Sequence, residues 1–307
     1  MIKSIEEYLD QLKIELKDSD TATVQDALAD AEEHLRAALA SLREKQPEAS
    51  EEEALMQVVE QYGSPDETAS AYKEVERLTH PSLVRENQRS ASMLVRFFAI
   101  FTDPRAWGAL LYMLIAFVTG IVYFTWAVTG LSLSVSLAIF IFGLPFTFFF
   151  LHSVRSLALL EGRLVEALLG VRMPRRPKFS SKGVKWFERF KLLVTDRYNW
   201  NMLFYMVCQM AFGILYFTLI VILLSMSLSL IVAPFVELVL RYQNITEAVS
   251  NHGLFAVVIA SVRFHLPTWA YPFGSLFGLL LLTASMHIFK FIGQLHGRYA
   301  KMFLVTE

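Results

Sequence analysis

Apolar residues fall along this 307-residue chain in two rhythms. Over the first eighty residues they recur at helical spacing, with charges between them. Ile5, Leu9, Leu12 and Leu16 make one stripe, and Val24, Leu28, Ala31, Leu35, Leu39 and Leu42 make a second. That spacing predicts amphipathic helices with one face on a core. Thr23 with Asp26 marks a start for the second helix, and Pro47 breaks the chain after it. Ser50 and Glu53 form a capping-box pattern ahead of Ala54, Leu55, Val58, Val59 and Tyr62. Gly63 suits a left-handed stop. Ser64-Pro65-Asp66-Glu67 then supplies a cap, a proline for the first helical position and acids for the helix dipole. The last helix carries Ala69, Tyr72, Val75 and Leu78. Residues 1–78 are expected to form a small helical bundle, marginal in size by itself, and 79–95 a linker.

Beyond the linker the apolar runs become continuous. Residues 106–154, 198–236 and 264–289 contain no Asp, Glu, Lys or Arg. A bilayer core takes about 20 apolar residues per helix, so these blocks predict membrane spans at 107–128, 132–152, 200–223 and 272–292. A six-span version would add 225–240 and 254–270, the latter ranked lower because it holds Arg263, His265 and Pro267. Whether 225–270 is external, re-entrant or two further spans stays open. The expected class is all-α: a cytoplasmic helical bundle followed by a four-span helical membrane domain, residues 96–307.

The membrane part repeats itself. At an offset of 93, Arg96-Phe97 matches Arg189-Phe190, Thr102-Asp103 matches Thr195-Asp196, Trp107 matches Trp200, and Tyr112-Met113 matches Tyr205-Met206. Gly120-Ile121 matches Gly213-Ile214, and Tyr123-Phe124-Thr125 matches Tyr216-Phe217-Thr218. The end of the unit recurs at an offset of 135: His152 with His287, Arg155 with Lys290, Leu160 with Leu295, and Gly162-Arg163 with Gly297-Arg298. A tandem two-helix repeat follows, the first copy over 96–170 and the second over 189–305.

Composition supports a membrane class. The chain is 54% hydrophobic and 19% charged, against about 25% charged in ordinary soluble domains. Secreted, disulfide-rich, collagen-like and nucleic-acid-coating classes are excluded, and the single Cys208 can form no internal disulfide. The net charge of −1 hides a dipole: residues 1–80 carry 20 acidic and 8 basic side chains, residues 81–307 carry 9 and 20. Segment 152–199 holds 11 Lys or Arg and segment 224–271 holds two. The positive-inside rule places the first in the cytoplasm and the second outside. The charged start shows no cleavable signal peptide, so both termini are expected to be cytoplasmic. Both copies would then cross in the same sense, about a pseudo-twofold axis along the membrane normal.

Catalytic signatures are missing: no Gly-x-Ser-x-Gly, phosphate-binding glycine loop, His-Glu-x-x-His or cysteine metal pair is present. Neither an enzyme nor a cofactor or metal is expected. His34 follows Glu32 and Glu33, but a solvated helix face is the better reading of that run. The expected spans hold no Asp, Glu, Lys or Arg, which argues against a proton-coupled transporter. Gly120, Gly213 and Gly274-x-x-x-Gly278 would let helices approach closely. Three groups of residues are singled out. Trp107, Trp200, Trp186 and Phe190 suit a membrane interface. Arg172, Arg175, Arg176, Lys178, Lys182 and Lys185 form a basic surface for anionic lipid or for the acidic head. Glu237 and Arg241, at i,i+4 beside Leu238, Val239 and Leu240, are the candidate outward signal site. The expected partners are membrane lipids and a cytoplasmic or membrane protein, with a homo-oligomer open and no direct contact to nucleic acid.

Two resemblances follow. Asp26-Ala27-Leu28-Ala29-Asp30-Ala31-Glu32-Glu33-His34-Leu35, with Tyr62-Gly63-Ser64-Pro65-Asp66-Glu67-Thr68-Ala69 and Tyr72, resembles the bacterial HAAS signalling domain over about the first 77 residues. Asp103-Pro104-Arg105-Ala106-Trp107, Gly143-Leu144-Pro145-Phe146 and Leu160-Glu161-Gly162-Arg163-Leu164-Val165-Glu166-Ala167-Leu168-Leu169-Gly170 resemble the bacterial putative-sensor membrane domain over about 95–305. The second copy departs from that pattern: Arg197-Tyr198-Asn199 replaces Pro-Arg-Ala, and His296 replaces the acid before Gly-Arg. The resemblances imply a bacterial inner-membrane sensor or regulatory adaptor that passes an envelope or lipid-like signal to a cytoplasmic partner. No kinase or DNA-binding segment is read here, so output would go through the head or a partner. The alternative is a lipid-binding or accessory subunit of an envelope transport complex.

Overall fold

The computed structural model describes residues 4–45, 51–79, 92–140, 143–174, 190, 194–242, 256–259, 262–265 and 268–305. These form two compact units, one of Met1–Ser90, Tyr123–Val207 and His296–Glu307, the other of Ala91–Val122 and Cys208–Leu295. The described chain is helical apart from a short hairpin between 256 and 265.

The head, in the first unit, has four helices: α1 (Ile5–Glu15), α2 (Thr21–Lys45), α3 (Glu51–Tyr62) and α4 (Pro65–Thr79). Their apolar stripes meet as expected, with Leu12, Leu16, Ala31, Leu35, Val58 and Ala69 buried in one core and Leu39, Ala54 and Leu55 in a second cluster. Tyr8, off the expected stripe, is fully buried, because its hydroxyl donates to the Gly63 carbonyl at 2.9 Å and sits 3.0 Å from the Thr68 hydroxyl. Gly63 has φ +108°, the left-handed stop read from the sequence. The Ser64 N–H donates to the Glu67 carboxylate at 3.1 Å, so an acid of the expected first turn closes the start of α4. Two details differ. Val75 is exposed, since it lies off the face that Ala69 and Tyr72 turn inward. Helix α2 starts at Thr21 rather than with Thr23 as its cap, because Asp20 caps it, accepting the Ala22 N–H at 2.9 Å; Thr23 is buried instead.

In the body, α5 (Met93–Phe98) and a 3₁₀ turn (Ala99–Thr102) lead into α6 (Pro104–Leu137). Then come α7 (Gly143–Leu169), α8 (Arg197–Tyr242), strands β1 (Ala256–Ile259) and β2 (Val262–His265), a 3₁₀ turn (Thr268–Ala270) and α9 (Tyr271–Leu304). Helices α6, α7, α8 and α9 are each long and apolar enough to cross a membrane, as a multi-pass membrane protein requires. They outrun the expected spans. At 46 residues, α8 is about 69 Å long by the 1.5 Å rise per residue, against a hydrocarbon core of about 30 Å. Residues 225–240 therefore continue the third span and are not a separate one. The other extra span of the six-span version, 254–270, is replaced over 256–265 by the hairpin, antiparallel with Ala256 opposite His265 and Ile259 opposite Val262.

Glycine governs the approach of α6 and α8 within the second unit. A Cβ added at Gly120 would lie 2.7 Å from the carbonyl oxygen of Gln209, and one at Gly213 would lie 2.5 Å from that of Ala116. Gly120 and Gly213 correspond at the repeat offset of 93, and so do Ala116 and Gln209. Each copy thus offers its glycine to the other copy's backbone. Gly278 likewise faces Ile231, with a Cβ 2.9 Å from its Cγ1.

The direction of the copies differs from the expectation. Within the first unit α6 runs against α7, with Tyr123 on Glu161 and Trp126 on Ser153. The start of α8 runs along α7 in the same direction: Arg155 meets Asp196 and Asn199, and Glu161 meets Tyr205. Inside this unit α6 and α8 oppose each other, so the copies do not run in one sense there. Charge counting reports which loops are basic; it carries no information on which helix faces fit together.

Candidate functional site

The two copies are tied by reciprocal polar contacts. Asp103 precedes α6 and caps it, accepting the Arg105 N–H at 2.9 Å on one oxygen and the Lys290 ammonium at 2.6 Å on the other. Asp196 precedes α8 and does the same, accepting the Tyr198 N–H at 3.0 Å and the Arg155 guanidinium at 2.6 Å. Arg155 and Lys290 correspond at the offset of 135, so each copy's aspartate takes the other copy's base. Arg155 also donates to the Asn199 side chain at 2.7 Å. Burial works against ionisation of Asp103, but the donors from Lys290 and the Arg105 N–H outweigh it and hold its carboxyl below the usual carboxylate range.

The first unit also holds a buried network. Glu161 on α7 is 1% exposed. It accepts the hydroxyls of Tyr123 (α6) and Tyr205 (α8), each at 3.1 Å. The Tyr205 oxygen is also 3.1 Å from Nε2 of His296 on α9. With the Tyr205 proton given to the carboxylate, the imidazole Nε2–H becomes the donor to Tyr205; the network, not an observed hydrogen, assigns that tautomer. Tyr299 stacks on Tyr205 with ring centroids 5.4 Å apart. All four body helices thus contribute to one polar chain in an apolar surround, where a lost partner is costly.

Local sequence explains the placement. The buried positions of α7 include Phe150, Val154, Ala158, Glu161, Val165 and Leu169, a continuous stripe at spacings of three and four with one acid in it. On α9, Met286, Phe289, His296, Ala300 and Leu304 are buried, and His296 occupies the equivalent place. Glu161 and His296 are the very positions at which the second copy departs from the first. Both lie outside the expected spans 132–152 and 272–292, and their spacing along the chain gives no sign that they meet. The signal was available as a charge on an otherwise apolar stripe.

The singled-out residues are placed as follows. Trp107 and Trp200 are both half exposed, and each donates its indole N–H at 2.9 Å to the carbonyl six residues earlier, Phe101 and Val194. The repeat therefore holds at the level of single hydrogen bonds. Phe190 is half-buried, and Arg172 is half-buried just past the end of α7. Trp186, Arg175, Arg176, Lys178, Lys182 and Lys185 lie outside the described residues. Glu237 and Arg241 lie on the last turns of α8; their side chains are outside the description. His287 stacks on Phe97 and its Nε2 is 3.0 Å from the Phe97 carbonyl, whereas its counterpart His152 is exposed. His34 is exposed and stacks on Tyr62 with centroids 4.7 Å apart. Among the described residues no cluster of His, Cys, Asp or Glu could hold a metal ion.

No curated protein and no solved structure matches the chain. Residues 112–304, which contain the whole buried network and both bases of the reciprocal pairs, match the family model described as "Putative sensor". That is more than half of the chain, and the protein belongs to this sensor family.

Proposed function

We propose that the protein is a sensor of the bacterial inner membrane, in which the duplicated helical body receives an envelope or lipid-like signal and a HAAS-like head passes it to a cytoplasmic protein. The observation that carries this reading is the sensor-family match over the body. The buried Glu161–Tyr205–His296 chain supports it physically, because one polar network touches all four body helices and any shift among them must remake it. The head supports the output role: it is acidic, and its buried clusters are made of its own residues.

Affinity purification of the full chain from membranes in mild detergent, with identification of co-purifying proteins and retained lipids, tests the reading. Capture of a histidine kinase or transcription regulator is the expected result. Capture of envelope transport components alone would overturn it in favour of a transport accessory.

A further inference from the structure

The head and the end of α9 fall in the same compact unit, and one ion pair joins them. The ammonium of Lys301, in the last turn of α9, donates to the second carboxylate oxygen of Asp20 at 2.5 Å. Both side chains are about three-quarters buried. Asp20 is committed three ways: its first oxygen caps α2 through Ala22, its N–H donates to the Glu76 carboxylate on α4 at 3.0 Å, and its second oxygen holds Lys301. The α1–α2 corner and α4 are thereby drawn to one cation. On the other side, the end of α9 is fixed to the body, because the Tyr198 hydroxyl donates to the Leu304 carbonyl at 2.9 Å and Leu304 and Val305 are buried.

We infer that Asp20–Lys301 is the latch by which the head docks on its own membrane body, and that α9 links this latch to the buried network. His296 and Lys301 are five residues apart on one continuous helix, a separation of about 7.5 Å along its axis. A shift of α9 that breaks Tyr205–His296 therefore moves the cation that holds the head. This docking site differs from the 172–191 basic segment to which the charge pattern pointed. The inference rests on the sensor reading for its purpose, but its geometry is independent of it.

The test is amide hydrogen exchange on the full chain in lipid nanodiscs, read at residues 16–24 and 298–305. Asp20→Asn keeps an oxygen for the Ala22 N–H, so it removes the charge and spares the cap. Asp20→Asn and Lys301→Gln should each raise exchange at both sites, by about tenfold as expected for loss of a local docking contact. Tyr205→Phe leaves both latch residues in place and should also raise exchange at 16–24. Unchanged exchange at 298–305 in Asp20→Asn would show that the effect stays within the head and overturn the latch. Unchanged exchange at 16–24 in Tyr205→Phe would overturn the link. Either failure, with a regulator still captured by the wild-type chain, leaves the sensor reading standing; failed capture with an intact latch does the reverse.

Discussion

Glu161 is buried on a stripe that is otherwise apolar, and such a position persists only if the carboxylate keeps its donors. Tyr205 is the donor shared between the copies, since it meets both Glu161 and His296. Tyr205→Phe removes the one hydroxyl that meets both the buried Glu161 carboxylate and the His296 ring, at a cost of about 1–3 kcal/mol. A Tyr112→Phe control should cost less, because it touches the neutral Gln209 amide. Thermal unfolding of both variants in the same detergent checks this. Asp103 makes a different prediction. Its pKa is depressed, so its ionised form contributes stability above the ordinary carboxylate value of about 3.9, and that contribution is lost as pH falls through the lower folded value. Asp103→Asn should lower the melting temperature at pH 7 and flatten its dependence on pH below about 4. A wild-type profile as flat as the variant's would remove the assignment.

At the scale of elements, close approach of α6 and α8 rests on two hydrogen atoms in place of side chains. Gly120→Leu or Gly213→Leu must push a carbonyl-bearing backbone away, and overpacking of this kind costs about 1–3 kcal/mol, occasionally more. Either should lower the melting temperature more than Gly170→Leu tested alongside, although Gly170 has a positive φ, since nothing lies within 4 Å of a Cβ there. Equal losses at Gly120 and Gly170 would show that backbone approach is not what these glycines serve. Local rules made the head legible: Gly63 stops α3, Ser64 and Glu67 cap α4, and the leucine stripes pack where their spacing puts them. The body was legible only along the chain. Repeat matching found Asp103, Asp196, Arg155 and Lys290 as counterparts, but their exchange across copies is a property of packing in three dimensions. A hydropathy window ends a span where charge begins, so it stopped short of Glu161 even though the helix and its buried stripe run on.

For the molecule as a whole, insertion remains the property with most leverage. The charge contrast between 152–199 and 224–271 leads to the expectation, by the positive-inside rule, that reporter fusions after Gly170 and Glu307 read cytoplasmic and one after Asn251 external. The shared direction of α7 and the start of α8 favours the other arrangement, and a cytoplasmic signal at Asn251 would establish it. The exchange of partners between copies carries a further consequence for ancestry. Asp103 with Lys290 and Asp196 with Arg155 are the contacts that two identical half-length chains would make across a self-complementary interface. Such a homodimer must place the same residue at both 161-like positions, and two carboxylates there would repel each other. Fusion of the halves into one gene lifts that constraint, and an acid in one half can then face an imidazole in the other. The asymmetry of Glu161 and His296 is something that two identical halves could not hold.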